Sequence, residues 1–376
     1  MAQLTHLTGT IVAGDNVEYD ECWIVDGRLT FARPDRQPDR TVHGWVLPGL
    51  VDVHCHVGLG PEGATSREEA MAHALADRAS GVLLIRDAGA PRDTSWLSEH
   101  SDMPRLIRAG RHLARPKRYL RNFGRELDDV NELPQAMAEE ARRGDGWVKL
   151  VADWIDRSLG ADADLTPLWP REALMDGIAA AHEAGARVTA HVFSHEAIDD
   201  LLDAGIDNIE HGTGMTADHM AEAARRGIPV TPTLLQVARF DDIAAQAGTK
   251  FPRYARRMTR LHARRHEQVA QLHDAGVPFL MGSDAGGTIS HGSLPAELAE
   301  VVRAGVPAGE VVAAASWRAR DFLNAQGIAE GAPADVVVYD SDPRHDIAVV
   351  SSPTLIMLRG REVSATVERK LPSAAQ

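Results

Sequence analysis

Between Val51 and Gly286 the chain alternates short apolar runs with longer segments of helical period, a rhythm that few folds accept. The eight runs are GLVDVHCHV, GVLLIRDAG, PRLIRAGRHLA, GWVKLVADW, ARVTAHVF, GIDNIEHG, GIPVTPTLL and GVPFLMGSDAG. Helix candidates lie between them. SREEAMAHALADRAS opens with Ser66 and Glu69 in capping-box spacing, and PREALMDGIAAAHEAG, SHEAIDDLLDAG and TADHMAEAARRG each end in a glycine that can close a helix with a left-handed cap. Eight strand–helix units predict a (β/α)8 TIM barrel over residues 49–330. The competitor is an open doubly wound sheet, but no glycine-rich phosphate loop follows the first strand. Both ends read as β: GTIVAG, ECWIVDG and RLTFARP at the start, ADVVVYDSDP and TLIMLRGREVSA at the finish. Residues 1–48 and 331–376 are therefore expected to pair into one small β domain.

A barrel of this kind carries its active site at the C-terminal ends of its strands. The polar residues that interrupt the apolar runs there are His54 and His56 in the first run, Lys149 in the fourth, His191 in the fifth, His211 in the sixth and Asp284 in the eighth. His54 and His56 share one face of a strand, because the side-chain period is two. Side by side, two imidazoles are best held neutral, which a metal ion does. Each residue alone has a structural reading: a satisfied core histidine, a snorkelling lysine, an aspartate capping a helix. Together those readings require six coincidences at one mouth.

An ammonium among metal ligands is repelled, whereas a lysine carbamate is anionic and offers two bridging oxygens. Six ligands exceed one tetrahedral zinc and suit two divalent ions. Such a pair can hold a hydroxide and polarise a carbonyl, with Asp284 taking the proton and delivering it to the leaving nitrogen.

The net charge of −14 argues against nucleic acid or an anionic membrane as partner and leaves a small molecule. Only Cys22 and Cys55 are present, which excludes a disulfide framework and suits a reducing compartment. The opening MAQLTHLTGTIVAGDN has neither a basic leader nor an apolar signal core, so a cytoplasmic protein is expected. The arginine-rich helix from Arg253 to Arg265 reads as a solvated face or as a contact in a homo-oligomer.

VLPGLVDVHCHV, GVLLIRDAG, WVKLVAD, VTAHVFSHEAIDDLLDAGIDNIEHG, FLMGSDAG and GIAEGAPADVVVYDSDP together resemble the amidohydrolase superfamily, in its prolidase-like and imidazolonepropionase-like branch. The resemblance implies His54 and His56 on a more buried metal and His191 and His211 on a more exposed one. It makes Lys149 the carbamylated bridge and Asp284 a ligand as well as the proton shuttle. Zinc is the usual ion, and the terminal domain becomes a small β-sandwich.

The chain departs from its relatives in places. Deaminases usually carry a glutamate where this chain has Ser194, and they usually lack the strand-four lysine; both differences argue against deamination and against imidazolone ring opening. Prolidases carry a tyrosine where this chain has Phe193 and a Gly-Gly-His near the end of strand three, where this chain reads ARPKRYLRNFG. Lys117, Arg118 and Arg121 around Tyr119 read either as a solvated loop or as a substrate contact. In the second case one cation meets a substrate carboxylate and Tyr119 polarises the carbonyl. His291 reads as a leaving-group contact or as a loop-tying hydrogen bond. Asp87 reads as a structural anchor and Cys55 as core. The leading expectation is a binuclear hydrolase cleaving an amide-type C–N bond. A mononuclear deaminase or cyclic amidohydrolase, lactone or phosphotriester hydrolysis, and a catalytically silent scaffold are the alternatives.

Overall fold

The computed structural model describes residues 3–365; the outermost residues of the expected terminal domain, 1–2 and 366–376, lie outside the described residues. Parallel strands Leu50–Cys55, Val82–Asp87 and Arg105–Arg108 form one sheet. Leu113–Ala114, Trp147–Val151, Arg187–Val192, Asn208–His211 and Val230–Thr231 run in that order through a second. Segment 277–285 bridges the two. Leu280 N donates to Val230 O on one side, and Val53 N and His56 N donate to Met281 O and Ala285 O on the other. The eighth run is thus hydrogen-bonded on both flanks, with only isolated bridges at Phe279 and Ala285.

Strands buried on both faces need continuous apolar runs, and Val82–Asp87 and Trp147–Val151 are buried at every position. The third run differs from expectation, because it breaks in two at Gly110. That glycine has φ +71°, and a Cβ there would meet Glu140 Oε2 at 2.7 Å. Glu140 is fully buried and accepts from Arg111 N at 2.9 Å, so the strand must step over it.

The helices stop and start as their sequence signals require. Ser66 caps helix Arg67–Ala79 with a complete capping box, Glu69 Oε2 accepting from Ser66 N at 2.9 Å. Gly205 and Gly227 close Ile198–Ala204 and Ala217–Arg226 in the left-handed region. On helix Pro252–Asp274, Arg257 departs from a purely solvated face: it is largely buried and pairs with Asp164 and Glu196.

Both ends of the chain meet in one seven-stranded sheet. Its order is Arg361–Val363, Leu355–Leu358, Val336–Tyr339, Arg40–Pro48, Leu4–Gly14, Val17–Val25 and Arg28–Thr30. In hydrogen-bond terms this is a single sheet and not the two of the expected sandwich. Its two faces have separate work. Val336 and Val338 pack with Leu7, Ile11 and Ile24, while Val337 and Tyr339 pack against the parallel strands and helices. The period of two puts alternate residues of one strand into different cores.

One buried residue sets the relation of strand one to the eighth run. Asp52 accepts from His54 N at 3.0 Å and from Ser283 N at 3.1 Å, and Ser283 Oγ donates to its second oxygen. Asp52→Ala leaves three buried donors without a partner, each costing about 1–3 kcal/mol. The urea midpoint of Asp52→Ala should fall by the equivalent of about 3 kcal/mol or more; an unchanged midpoint would refute this role.

Candidate active site

His54, His56, Lys149, His191, His211 and Asp284 all line one cavity of about 150 Å³ at the strand ends. Strand parity brings the first two in, and Lys149 points inward from a strand whose neighbours Val148 and Leu150 pack outward against helices. His211 and Asp284 have φ of 64° and 55°. Non-glycine residues rarely adopt that region, and strain of this kind concentrates at functional positions.

The donor atoms fall into two groups. Asp284 Oδ1 lies 2.9 Å from His54 Nε2 and 3.3 Å from His56 Nε2. His191 Nδ1 and His211 Nε2 face one another at 3.0 Å. The far nitrogens of two of these rings, His56 and His211, are hydrogen-bonded from behind, and that of His54 faces a carboxylate. His54 Nδ1 is 3.2 Å from Glu210 Oε1, His56 Nδ1 is 2.8 Å from Gly89 O, and His211 Nδ1 is 2.6 Å from Thr233 Oγ1. This is how proteins orient metal-binding imidazoles: the outer nitrogen is held and the inner one is left for the ion. Burial pushes the His191 ring well down and the His211 ring to about 3, so both are neutral and able to ligate. Burial raises the Asp284 carboxyl, but His54, His56 and His211 outweigh it and hold it well below the usual carboxylate range. Two pairs of imidazoles, a carboxylate and a buried amine fit a pair of divalent cations.

Beneath this layer lie groups that the sequence reading passed over. Lys149 Nζ contacts Glu210 Oε2, and Thr189 Oγ1 donates to Glu210 Oε1 at 2.7 Å. Burial pushes the Lys149 amine below its usual range, with Glu210 opposing. Arg86 is fully buried below, 3.6 Å from Glu210, and stacks on Trp147 at 4.6 Å. His112 is fully buried beside His56 and Tyr119. The sequence signal for Arg86 and Glu210 was present, since each is a charge inside an apolar run. Their neighbours Asp87 and His211 drew the attention.

The remaining candidates sort differently. Tyr119 lines the cavity, its ring centroid 5.8 Å from that of His191, and burial keeps its phenol protonated. Arg118 does not line the cavity. It is tied to Asp156, to Trp154 O at 3.0 Å and to Thr166. Lys117 and Arg121 are exposed and are not part of the lining either. Of the two readings of this loop, the geometry favours the solvated one: local partners hold one cation and the other two are exposed.

His291 also lies outside the lining, with Nδ1 bound to Asp77 Oδ2 at 2.8 Å, which is the hydrogen bond that its loop-tying reading expects. Asp87 accepts from Gly89 N at 2.9 Å and Val57 N at 3.1 Å, the anchor expected of it. Phe193 forms part of the cavity wall, while Ser194 N donates to Asp153 Oδ2 and Ser194 stays out of the lining. The other walls are Leu59, Pro61, Leu120, Phe123 and Trp154, with Gln236 and Thr288 as neutral polar groups.

The Amidohydrolase family model matches residues 45–363. An uncharacterised protein of Mycobacterium tuberculosis is 51% identical over 342 residues, covering 91% of this chain and 91% of that protein. Among solved structures, a Xaa-Pro dipeptidase with bound methionine superposes with a TM-score of 0.80 at 21% identity, covering 96% of this chain and 100% of the other. Ochratoxinase from A. niger superposes at 0.79 with 19% identity, covering 96% and 95%.

Glu210 is the pivot of the underlying layer. Replacing it with glutamine keeps the shape but removes the charge that holds His54 Nδ1 and Lys149. Loss of such a supporting group typically costs 10–100-fold in metal affinity. Glu210→Gln should weaken zinc binding by about that factor in a competition titration with a chelating dye, with the far-ultraviolet dichroism unchanged; wild-type affinity would refute the assignment.

Proposed function

The chain belongs to the amidohydrolase family, and from that premise we propose that it hydrolyses an amide-type C–N bond in a small, uncharged, apolar molecule with the help of two divalent cations. The observation that carries this reading is the pairing of inner nitrogens: two from His54 and His56 on Asp284, and two from His191 and His211 on each other. The architecture we infer is a (β/α)8 barrel, supported by the hydrogen bonds that segment 277–285 makes to both flanking strands.

Two divalent ions in that donor set, zinc in the usual form of the family, would supply Lewis acidity and a water whose pKa falls from 15.7 toward about 7. A carbamate on Lys149 would provide the bridge. It turns a cationic end into an anionic one beside Glu210 and Asp284, so it is stable only when the cations are present. Carbamylation and metal loading are therefore coupled. Asp284, held ionised between two imidazoles, accepts the proton of the attacking water and returns it to the leaving nitrogen. The protonated Tyr119 phenol donates to the carbonyl oxygen as negative charge develops there.

The cavity also points to the substrate. Tyr119, Phe123, Trp154, Phe193, Leu59 and Leu120 surround it, no arginine among the described residues lines it, and its lysine is engaged by Glu210. A cavity of about 150 Å³ holds roughly one benzene-sized group. A substrate carboxylate entering these walls would lose its hydration and gain no protein cation.

Two outcomes follow. Asp284→Asn should retain the fold and lose about 10²–10⁴-fold in kcat, while Lys149→Ala should lose both activity and metal; near wild-type turnover in either variant contradicts its assigned role. Across a pair of aryl amides identical except for one carboxylate, kcat/KM should favour the neutral member by at least about tenfold. Preference for the charged member would refute the neutral-substrate reading and leave the metal chemistry standing.

A further inference from the structure

On the opposite side of the strand that carries His54 and His56 lies a second set of donors. Cys55 from strand Leu50–Cys55, Asp77 from helix Arg67–Ala79 and His291 from the loop after the eighth run place one ligand atom each within 4.8 Å of one another. Cys55 and Asp77 are 0% and 1% exposed, and the His291 side chain is 3% exposed. None of the three lines the catalytic cavity.

Cys55 packs in an apolar core and the His291 ring stacks on His73 at 4.2 Å, but the cluster keeps a buried polar atom without a partner. His291 Nδ1 bonds Asp77 Oδ2 at 2.8 Å and Gly292 N donates to Asp77 Oδ1 at 2.7 Å, which holds the ring and the carboxylate in place. His291 Nε2, although buried, has no hydrogen-bond partner. Nor does the Cys55 thiol make a hydrogen bond among the described residues. A buried sulfur, an imidazole and a carboxylate from three separate elements, with their ligand atoms within 4.8 Å of one another, form a ligand set for a borderline-soft metal ion.

We propose that Cys55, Asp77 and His291 bind a third divalent cation of the zinc class, distinct from the catalytic pair. Binding displaces the thiol proton to solvent and leaves a thiolate, an imidazole and a carboxylate on the ion, with water completing the tetrahedron. The ion would pin the loop at Ser290–Gly292, six residues beyond Asp284, to the first strand and the first helix, so its work is structural.

Cobalt distinguishes this site from the catalytic one, because only here is a sulfur ligand available. The full-length protein is stripped with a chelator and titrated with Co²⁺. A near-ultraviolet thiolate-to-cobalt charge-transfer band should grow to one equivalent per chain. It should be lost in Cys55→Ser, weakened in His291→Gln and Asp77→Asn, and retained in Cys22→Ser, whose thiol lies in the core of the terminal sheet. The wild-type spectrum decides the matter even if Cys55→Ser fails to fold. No charge-transfer band at saturating cobalt, or a band that survives in Cys55→Ser, overturns the proposal. The catalytic donors contain no sulfur, so failure of the hydrolase reading would leave the band intact.

Discussion

Everything at the strand ends depends on His54 lying between two carboxylates, Asp284 at Nε2 and Glu210 near Nδ1. The ring is fully buried, where unpaired charge is costly, so the two acids must be balanced from elsewhere. Below, Lys149 and Arg86 answer Glu210; burial lowers Arg86 to about 10, with Glu210 opposing, and it remains a cation. Above, Asp284 is shared by two imidazoles. Charge thus alternates in layers from the floor of the strands to the cavity. The layer nearest the substrate is where added cations would be most stabilised.

The convergence of these six side chains on one cavity was legible because each interrupts an apolar run at a place where a strand has no other reason to be polar. Periodicity carried that information, together with the alternation of strands and helices and the pairing of the two ends. The supporting layer was harder to see. Arg86 and Glu210 stand next to residues that already had roles, and their partners come from other strands that sequence spacing does not connect. The setting of the basic loop was hidden for a related reason. Arg118 looks free among Lys117, Arg121 and Tyr119, but its partners Asp156 and Thr166 lie some forty to fifty residues on and meet it only through the tertiary fold. The expected sandwich became one sheet because Val336–Tyr339 pairs directly with Arg40–Pro48, which joins the two termini edge to edge.

These points reinforce one another in the reading of function. Once Arg118 is accounted for structurally, the walls of the cavity are aromatic and aliphatic, and its neutral polar groups are Tyr119, Gln236 and Thr288. An apolar pocket with few donors suits an uncharged amide: the walls take the apolar body and the donors set the orientation of the carbonyl. Likeness to solved structures at these low identities establishes the fold, whereas the lining residues belong to this chain.

The central claim is that two cations share the histidine site with a modified Lys149. Anomalous scattering from crystals grown with zinc, collected on either side of the zinc absorption edge, tests it directly. The account predicts two peaks about 3.5–4 Å apart, one against His54 and His56 and one against His191 and His211, with density extending beyond Lys149 Nζ to bridge them. A single peak, or none, with an unextended Lys149 still bound to Glu210, would contradict it.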